Sequence, residues 1–297
     1  MEKFINIFKK KKPGKPYDVK TAPLTDEQLK SVSSGLGLAV TPQLLVGIGQ
    51  SVGMQRDHNE DTIFTLTSVL GGDHKDMIFG LFIVADGMGG YQHGELASNV
   101  AANAMAHYIL KKLYMPLMSL RSEHPTDPLQ ELMQNAVTEA QMAVVKSAAG
   151  GGTTLTAAFI LGDQVTLAHV GDSRAYFIYP DGRVQPITRD HSLVRRLQEL
   201  GQINDKEAAE HPQRNVLYRA LGQSEPFEPD LSTFPFPNAG YLMLCSDGLW
   251  GLVPETDYIN LIHSSATLTI ACQKFIDAAN AAGGPDNISI ILVQYPM

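Results

Sequence analysis

Three apolar runs in this chain stop on an aspartate that glycine follows or precedes. "MIFGLFIVADG" closes on Asp86, "QVTLAHVGD" on Asp172 and "YLMLCSDG" on Asp247. Other acids stand at the opposite end of such runs: Glu60 and Asp61 precede "TIFTL", and Asp286 precedes "NISIILVQY". In an antiparallel sheet the end of one strand lies beside the start of its neighbour. The pattern therefore favours a fold that gathers acids from both ends of the chain at one sheet rim. Uncompensated carboxylates packed together drive each other's pKa upward, and a bound divalent cation removes that repulsion. Oxygen ligands without a His or Cys cluster suit hard ions, Mg²⁺ or Mn²⁺. Gly87 and Gly248 are expected to leave room for an ion, its waters and a backbone carbonyl ligand. Each Asp-Gly pair alone is an ordinary turn signal; the set carries the inference.

Apolar runs predict strands near 44–52, 61–67, 78–86, 153–161, 164–171, 174–179, 183–188, 241–246 and 287–295, with "YPDGR" as a hairpin. "GELASNVAANAMAHYILKKL" and "PLQELMQNAVTEAQMAVVKSAA" read as long helices, the first with Ala97, Val100, Ala101, Ala104 and Tyr108 at helical spacing. A last helix is expected over about 267–281. Strands in hairpin order with helices inserted in pairs predict an α+β arrangement of packed antiparallel sheets covered by helices.

Residues 1–42 hold the Lys run "KKKKPGKP" and a capping-box pair, Thr25 with Gln28, and read as tail and linker; residues 43–297 read as one domain. The lysines beside Phe4, Ile5, Ile7 and Phe8 suit an anionic membrane, but a solvated tail is the simpler reading. A formal charge of -8 argues against nucleic acid and suits a chain that collects cations. Cys245 and Cys272 lie inside apolar segments, which points to a reducing compartment. No run reaches the ~18 apolar residues of a spanning helix, and "MEKFINIFKKKK" has too short an apolar core for a signal peptide. A cytoplasmic protein is expected.

Arg56, four residues before Glu60, offers a fork of donors suited to a phosphate dianion, although alone it reads as a surface ion pair. Competing motifs are weaker. "GDSRA" nearly spells a nucleophile elbow at Ser173, but "AYFIYP" after it reads as a strand where an elbow needs a helix. A cysteine phosphatase needs Arg six residues beyond its Cys, where Gly251 and Ala278 stand. "GGGTT" lacks the lysine of a phosphate loop and opens onto a strand. Met105, Tyr108 and Trp250 read as packing, and Arg174 as a structural ion pair. In "LVRRLQELG", Leu193, Leu197 and Leu200 share one face that ends at Gly201, while Arg195 and Arg196 face acidic substrates or solvent.

"RDHNED", "VADGMGG", "GGTTLTAAFI", "AHVGDSRAY", "DHSLVRRLQELG", "HPQRNVLYRALG", "LMLCSDGLW" and "GPDNISIILV" stand in the order found in the metal-dependent protein phosphatases of type 2C, and residues 44–295 resemble their bacterial members most. The resemblance implies an α/β/β/α sandwich of two antiparallel sheets flanked by helix pairs, with two Mn²⁺ or Mg²⁺ ions in a cleft at one end. By motif position, Asp86 resembles the carboxylate that bridges both ions. Glu60 and the Gly87 carbonyl would complete one ion, and Asp247 with Asp286 the other. Asp61 would hold ion-bound water, and Asp172 with Asp247 resembles the pair that holds a third ion. Arg56 would grip the substrate phosphate, and residues 190–222 look like a mobile flap. Water held between two cations would attack phosphorus directly, without a phosphoenzyme. The implied substrates are phosphoserine and phosphothreonine proteins made by a bacterial-type kinase, and the implied state is a monomer. Met88 stands where eukaryotic members have a proton-donating His, and Tyr91 where bacterial relatives have one. That leaves His93 or an ion-bound water as the acid. A phosphatase-fold interaction module without activity, and a phosphatase of small phosphate esters, are the competing readings.

Overall fold

A computed structural model describes residues 43–70, 77–89, 92–118, 128–223 and 227–295. The Lys-rich tail with its Thr25–Gln28 box, and Tyr91, lie outside the described residues. The strands are β1 (Leu45–Ser51), β2 (Asp61–Leu70), β3 (Met77–Met88), β4 (Gly152–Thr153), β5 (Leu155–Leu161), β6 (Gln164–Val170), β7 (Arg174–Ile178), β8 (Val184–Pro186), β9 (Asp230–Pro235), β10 (Tyr241–Cys245) and β11 (Ile288–Gln294). The helices are α1 (Gln92–Ile109), α2 (Leu129–Ser147), α3 (Leu193–Glu199), α4 (Asp205–Ala209), α5 (Asp247–Trp250), α6 (Tyr258–His263) and α7 (Leu268–Ala281).

One sheet runs β1-β11-β10-β7-β8 and the other β2-β3-β5-β6-β9, with β4 paired to β3. Every pairing is antiparallel. Side chains alternate across a strand, and β3 shows the result. Phe79, Leu81, Ile83 and Ala85 pack under α1 and α2, while Ile78, Phe82 and Val84 meet β7, β10 and β11 between the sheets. On the far side α6 and α7 cover Tyr176, Met243, Cys245, Ile290 and Leu292. These three apolar layers make the expected α/β/β/α sandwich. Burial on both faces explains why the central strands read as unbroken apolar runs rather than alternating ones.

The main departures lie at the edge and beside the cleft. Strand β9, "DLSTFP", escapes apolar periodicity because it is a half-buried edge strand that pairs only with β6. The short helices α4, α5 and α6 likewise lack a long apolar stripe: α4 is set by its Asn204–Glu207 capping box, and α5 and α6 by packing of Leu249, Tyr258 and Ile262. No helix among the described residues is long and apolar enough to cross a membrane.

Register brings the acids to one end. Asp61 pairs directly opposite Asp86 across β2 and β3. Cys245, two residues before Asp247, lies opposite Ile290 of β11 and Arg174 of β7. Asp172 occupies the turn in which the chain leaves the second sheet for the first.

Candidate active site

The strand ends are fixed by a web of small polar side chains. Asp86 donates its backbone N–H to Thr154 Oγ1 (2.9 Å) and accepts at its carbonyl from Thr153 Oγ1 and the Thr154 N–H (2.9 Å each). "GGTT" is thus a backbone clamp on the central aspartate. Ser246 Oγ donates to Asp61 Oδ2 at 2.8 Å and accepts from the Ser289 N–H at 2.9 Å. Glu60 donates its N–H to Asn287 Oδ1 (2.8 Å), its carbonyl accepts from Ser98 Oγ (2.6 Å), and its carboxylate lies 3.0 Å from His58 Nε2. Asn287 also donates through Nδ2 to the Val52 and His58 carbonyls, both at 2.9 Å. That one buried amide ties the Arg56–Glu60 loop to the Asp286 loop.

The cluster is electrostatically uncompensated. Burial, then the charges of Asp247 and Asp286, push Asp61 up to about 7 despite its serine partners. Burial, then Asp286, raises Asp247 to about 6. Asp86 is pushed well above the carboxylate range by burial and the fields of Asp61, Asp247, Asp172 and Asp286. Asp172 is raised by burial, Asp247 and Asp190. Oδ1 of Asp61 is buried without a hydrogen-bond partner. Like charges held together, with an oxygen left unanswered, make a donor set that fits hard divalent cations. Among the described residues no group of three or more His, Cys, Asp or Glu side chains stands arranged around one ion position. Asp286 turns to Arg56 Nη2 (2.7 Å) and Glu60 to His58.

The glycines are also required by close backbone approach. A Cβ on Gly87 would run into the carbonyls of Gly94 and Glu60, and one on Gly248 into the carbonyl of Asn287. The room is taken by neighbouring backbone: Gly87 lets β3 approach the start of α1 and Glu60, and Gly248 lets α5 approach Asn287 before β11. Gly248→Ala is expected to cost about 3 kcal/mol or more, since backbone cannot yield as a side chain can; chemical denaturation of the purified variant measures it.

A cleft of about 500 Å³ opens beside the acids, lined by Arg56, Asp172, Asp247 and Asp286 on one wall and by Ser192, Arg195, Gln198, Asp205 and Arg214 on the other. The second wall is the 190–222 segment, including α3 and α4. Arg174 makes the expected ion pair, through Nε and Nη2 to Asp190 at 2.9 and 2.7 Å. Trp250 does more than pack: it lines this cleft. Ser173 is wholly buried, bonded to Thr154 Oγ1 and followed by β7, so it is no elbow nucleophile. Both cysteines are buried and free, with thiols raised by burial. Met88 lies against Gly152, and the His93 side chain is exposed at the start of α1. Asn287, Ser246 and Ser98 were not singled out from sequence, although Asn287 and Ser246 each stand beside an acid in a motif string; the threonine clamp lies in the "GGTTLTAAFI" string.

The model of the family described as protein phosphatase 2C matches residues 48–288. The chain belongs to that family. A serine/threonine phosphatase from Listeria innocua is 37% identical over 250 residues, covering 82% of this chain and 92% of that protein. The structure of the Streptococcus agalactiae serine/threonine phosphatase superposes with a TM-score of 0.73 at 30% identity, covering 84% of this chain and 99% of that one. The catalytic domain of the phosphatase PstP, solved in complex with two manganese ions, superposes at 0.69 with 28% identity, covering 86% of this chain and all (100%) of that one. As a protein phosphatase 2C, the chain is a metal-dependent serine/threonine phosphatase acting on phosphoproteins.

Proposed function

We propose that residues 43–297 form the catalytic domain and that the acid rim is its reaction centre. The observation that carries this reading is the meeting of Asp61, Asp86, Asp172 and Asp247 from four strand ends, their charges raised against one another, beside the guanidinium of Arg56. Glu60, Asp86 and the Gly87 carbonyl would hold one cation, Asp86, Asp247 and Asp286 a second, and Asp172 with Asp247 a third. Bound there, such cations neutralise phosphoryl charge and lower the pKa of water to about 7.

The protein's own groups do the rest. Asp61, whose Oδ1 is buried without a partner, would orient the attacking water. Arg56 is paired with Asp286; were that carboxylate to hold a cation, the fork would be free for two phosphoryl oxygens. The 190–222 segment forms the outer wall of the cleft, and we infer that it moves as substrate enters. His93, exposed in the first turn of α1, is the side-chain candidate for the leaving-group proton, with an ion-bound water as the alternative. We further propose a monomer in the cytoplasm, acting on substrates of a bacterial-type serine/threonine kinase.

Phosphate release from a phosphothreonine peptide is expected only with Mn²⁺ or Mg²⁺, and is expected to fall to background under chelation. Turnover that survives chelation overturns the assignment. A rate confined to small aryl phosphates would instead support the small-ester reading.

A further inference from the structure

The outer wall of the cleft sets two arginines, Arg195 and Arg214, against one acid, Asp205, while Arg174 and Asp190 cancel as an ion pair. Arg195 stands in the first turn of α3, where its N–H is taken by the hydroxyl of the buried N-cap Ser192 at 3.4 Å. A first turn holds orphan N–H groups and favours acids, yet α3 has no acid there. An arginine in that place works against its own helix. Its ion pair, Nε to Glu199 Oε1 at 3.4 Å, runs in the weaker direction, with the cation N-terminal to the acid. Glu199 is also shared: Arg189 takes both of its oxygens, and Arg196 lies 3.9 Å away. Three guanidinium groups thus meet one carboxylate. Arg214 forms no ion pair among the described residues. Asp205 accepts from Gln198 Nε2 at 2.9 Å and sits in the first turn of α4, where its charge suits the helix. The Arg196 side chain is 57% exposed and does not line the cleft.

We propose that Arg195 is a specificity-determining residue that recognises an acidic side chain two positions from the phosphothreonine of a bound peptide. This rests on the reading of the acid rim as the reaction centre, with Arg56 on the phosphate. The cleft of about 500 Å³, taken as a cube, is about 8 Å across, and alternate residues of an extended chain, which share a face, stand about 7 Å apart. A peptide with its phosphothreonine at the inner wall therefore brings the side chain two positions away to the outer one. A glutamate there gains a charge-assisted hydrogen bond, whereas a lysine meets like charge.

The test uses the full chain with Mn²⁺ and two phosphothreonine peptides, identical except for glutamate or lysine at the second position on either side of the phosphothreonine. The readout is the ratio of kcat/KM for the glutamate peptide to that for the lysine peptide, which a general loss of activity or stability does not move. One charge-assisted hydrogen bond predicts a ratio of about 10 in the unmodified protein. Arg195→Glu suits the first turn of a helix, and is expected to bring the ratio to about 1 or to reverse it toward lysine. Arg196→Glu makes the same change of charge one residue away, outside the cleft, and is expected to keep the ratio within about 2-fold. A ratio near 1 in the unmodified protein overturns the proposal, as does a preference that survives Arg195→Glu. An equal fall in Arg196→Glu also overturns it, because the preference then belongs to the net field of the protein. Asp86→Asn separates the two layers. Turnover lost in that variant, with both peptides used equally by the unmodified protein, rejects the acid recognition and keeps the reaction centre. Turnover that Asp86→Asn leaves intact rejects both.

Discussion

Asp86→Asn is expected to abolish turnover while raising the melting temperature of the metal-free protein. The two effects share one cause. Asp86 lies at the centre of the cluster, and burial together with four neighbouring carboxylates opposes its ionisation. Its backbone is held by Thr153 and Thr154 through groups the substitution leaves alone, so the variant keeps its strand. Asparagine matches the shape and removes a carboxyl that the metal-free fold must hold protonated where the unfolded chain is ionised. Loss of a ligand shared by both proposed cations removes several kcal/mol of charge stabilisation, so a fall of about 10³-fold or more in kcat/KM is expected. Removal of that protonation cost is worth about 1–3 kcal/mol, or several degrees in a domain of this size. Steady-state phosphate release and scanning calorimetry in chelator measure the two. A variant that turns over normally, or melts lower without metal, contradicts a cation-collecting role for this rim.

How far the sequence carried depended on which force shaped each part. β3, β10 and β11 are buried on both faces, so their apolar runs announce them, and the acids at their ends mark the rim. β9 is different, because its stability comes from pairing with β6 and from Asp230, which meets His191 and Arg219 across the chain. No local pattern encodes that. α4 carries a readable capping box, Asn204 with Glu207, yet with only Ala208 buried it lacks an apolar stripe. At the site, the residue types needed for hard cations were legible from side-chain chemistry alone. The packing need for Gly87 and Gly248 was not legible because close backbone approach is a property of the assembled segments. Trp250 was assigned to packing on composition, and only the Asp172 carbonyl and the Arg174 stack reveal its second face.

Metal-free and Mn²⁺-loaded protein are expected to respond to pH with opposite sign between about 6.5 and 8.5. An aspartate has an unperturbed pKa of about 3.9, whereas Asp61 is raised to about 7 and burial with neighbouring carboxylates raises Asp86 and Asp172 well above the ordinary range. The metal-free fold thus retains protons in this window that the unfolded chain has already lost. Stability supplied by a raised pKa is present at low pH and disappears as pH climbs through the folded value. With roughly one excess proton, the slope of about 1.4 kcal/mol per pH unit removes about 2–3 kcal/mol across the window. The lower bound matters because His169 is pushed down to about 4 and His191 is also lowered, both chiefly by burial. Below about 6.5 the unfolded chain gains protons on these histidines, and that opposes the carboxylate effect. With Mn²⁺ the ligands must be ionised, and raising the pH strengthens binding to the native state alone. Calorimetric scans in chelator should therefore fall in Tm by roughly 5–10 °C from pH 6.5 to 8.5, while scans in Mn²⁺ rise. Parallel curves would mean that the buried protons and the cations do not compete for the same oxygens.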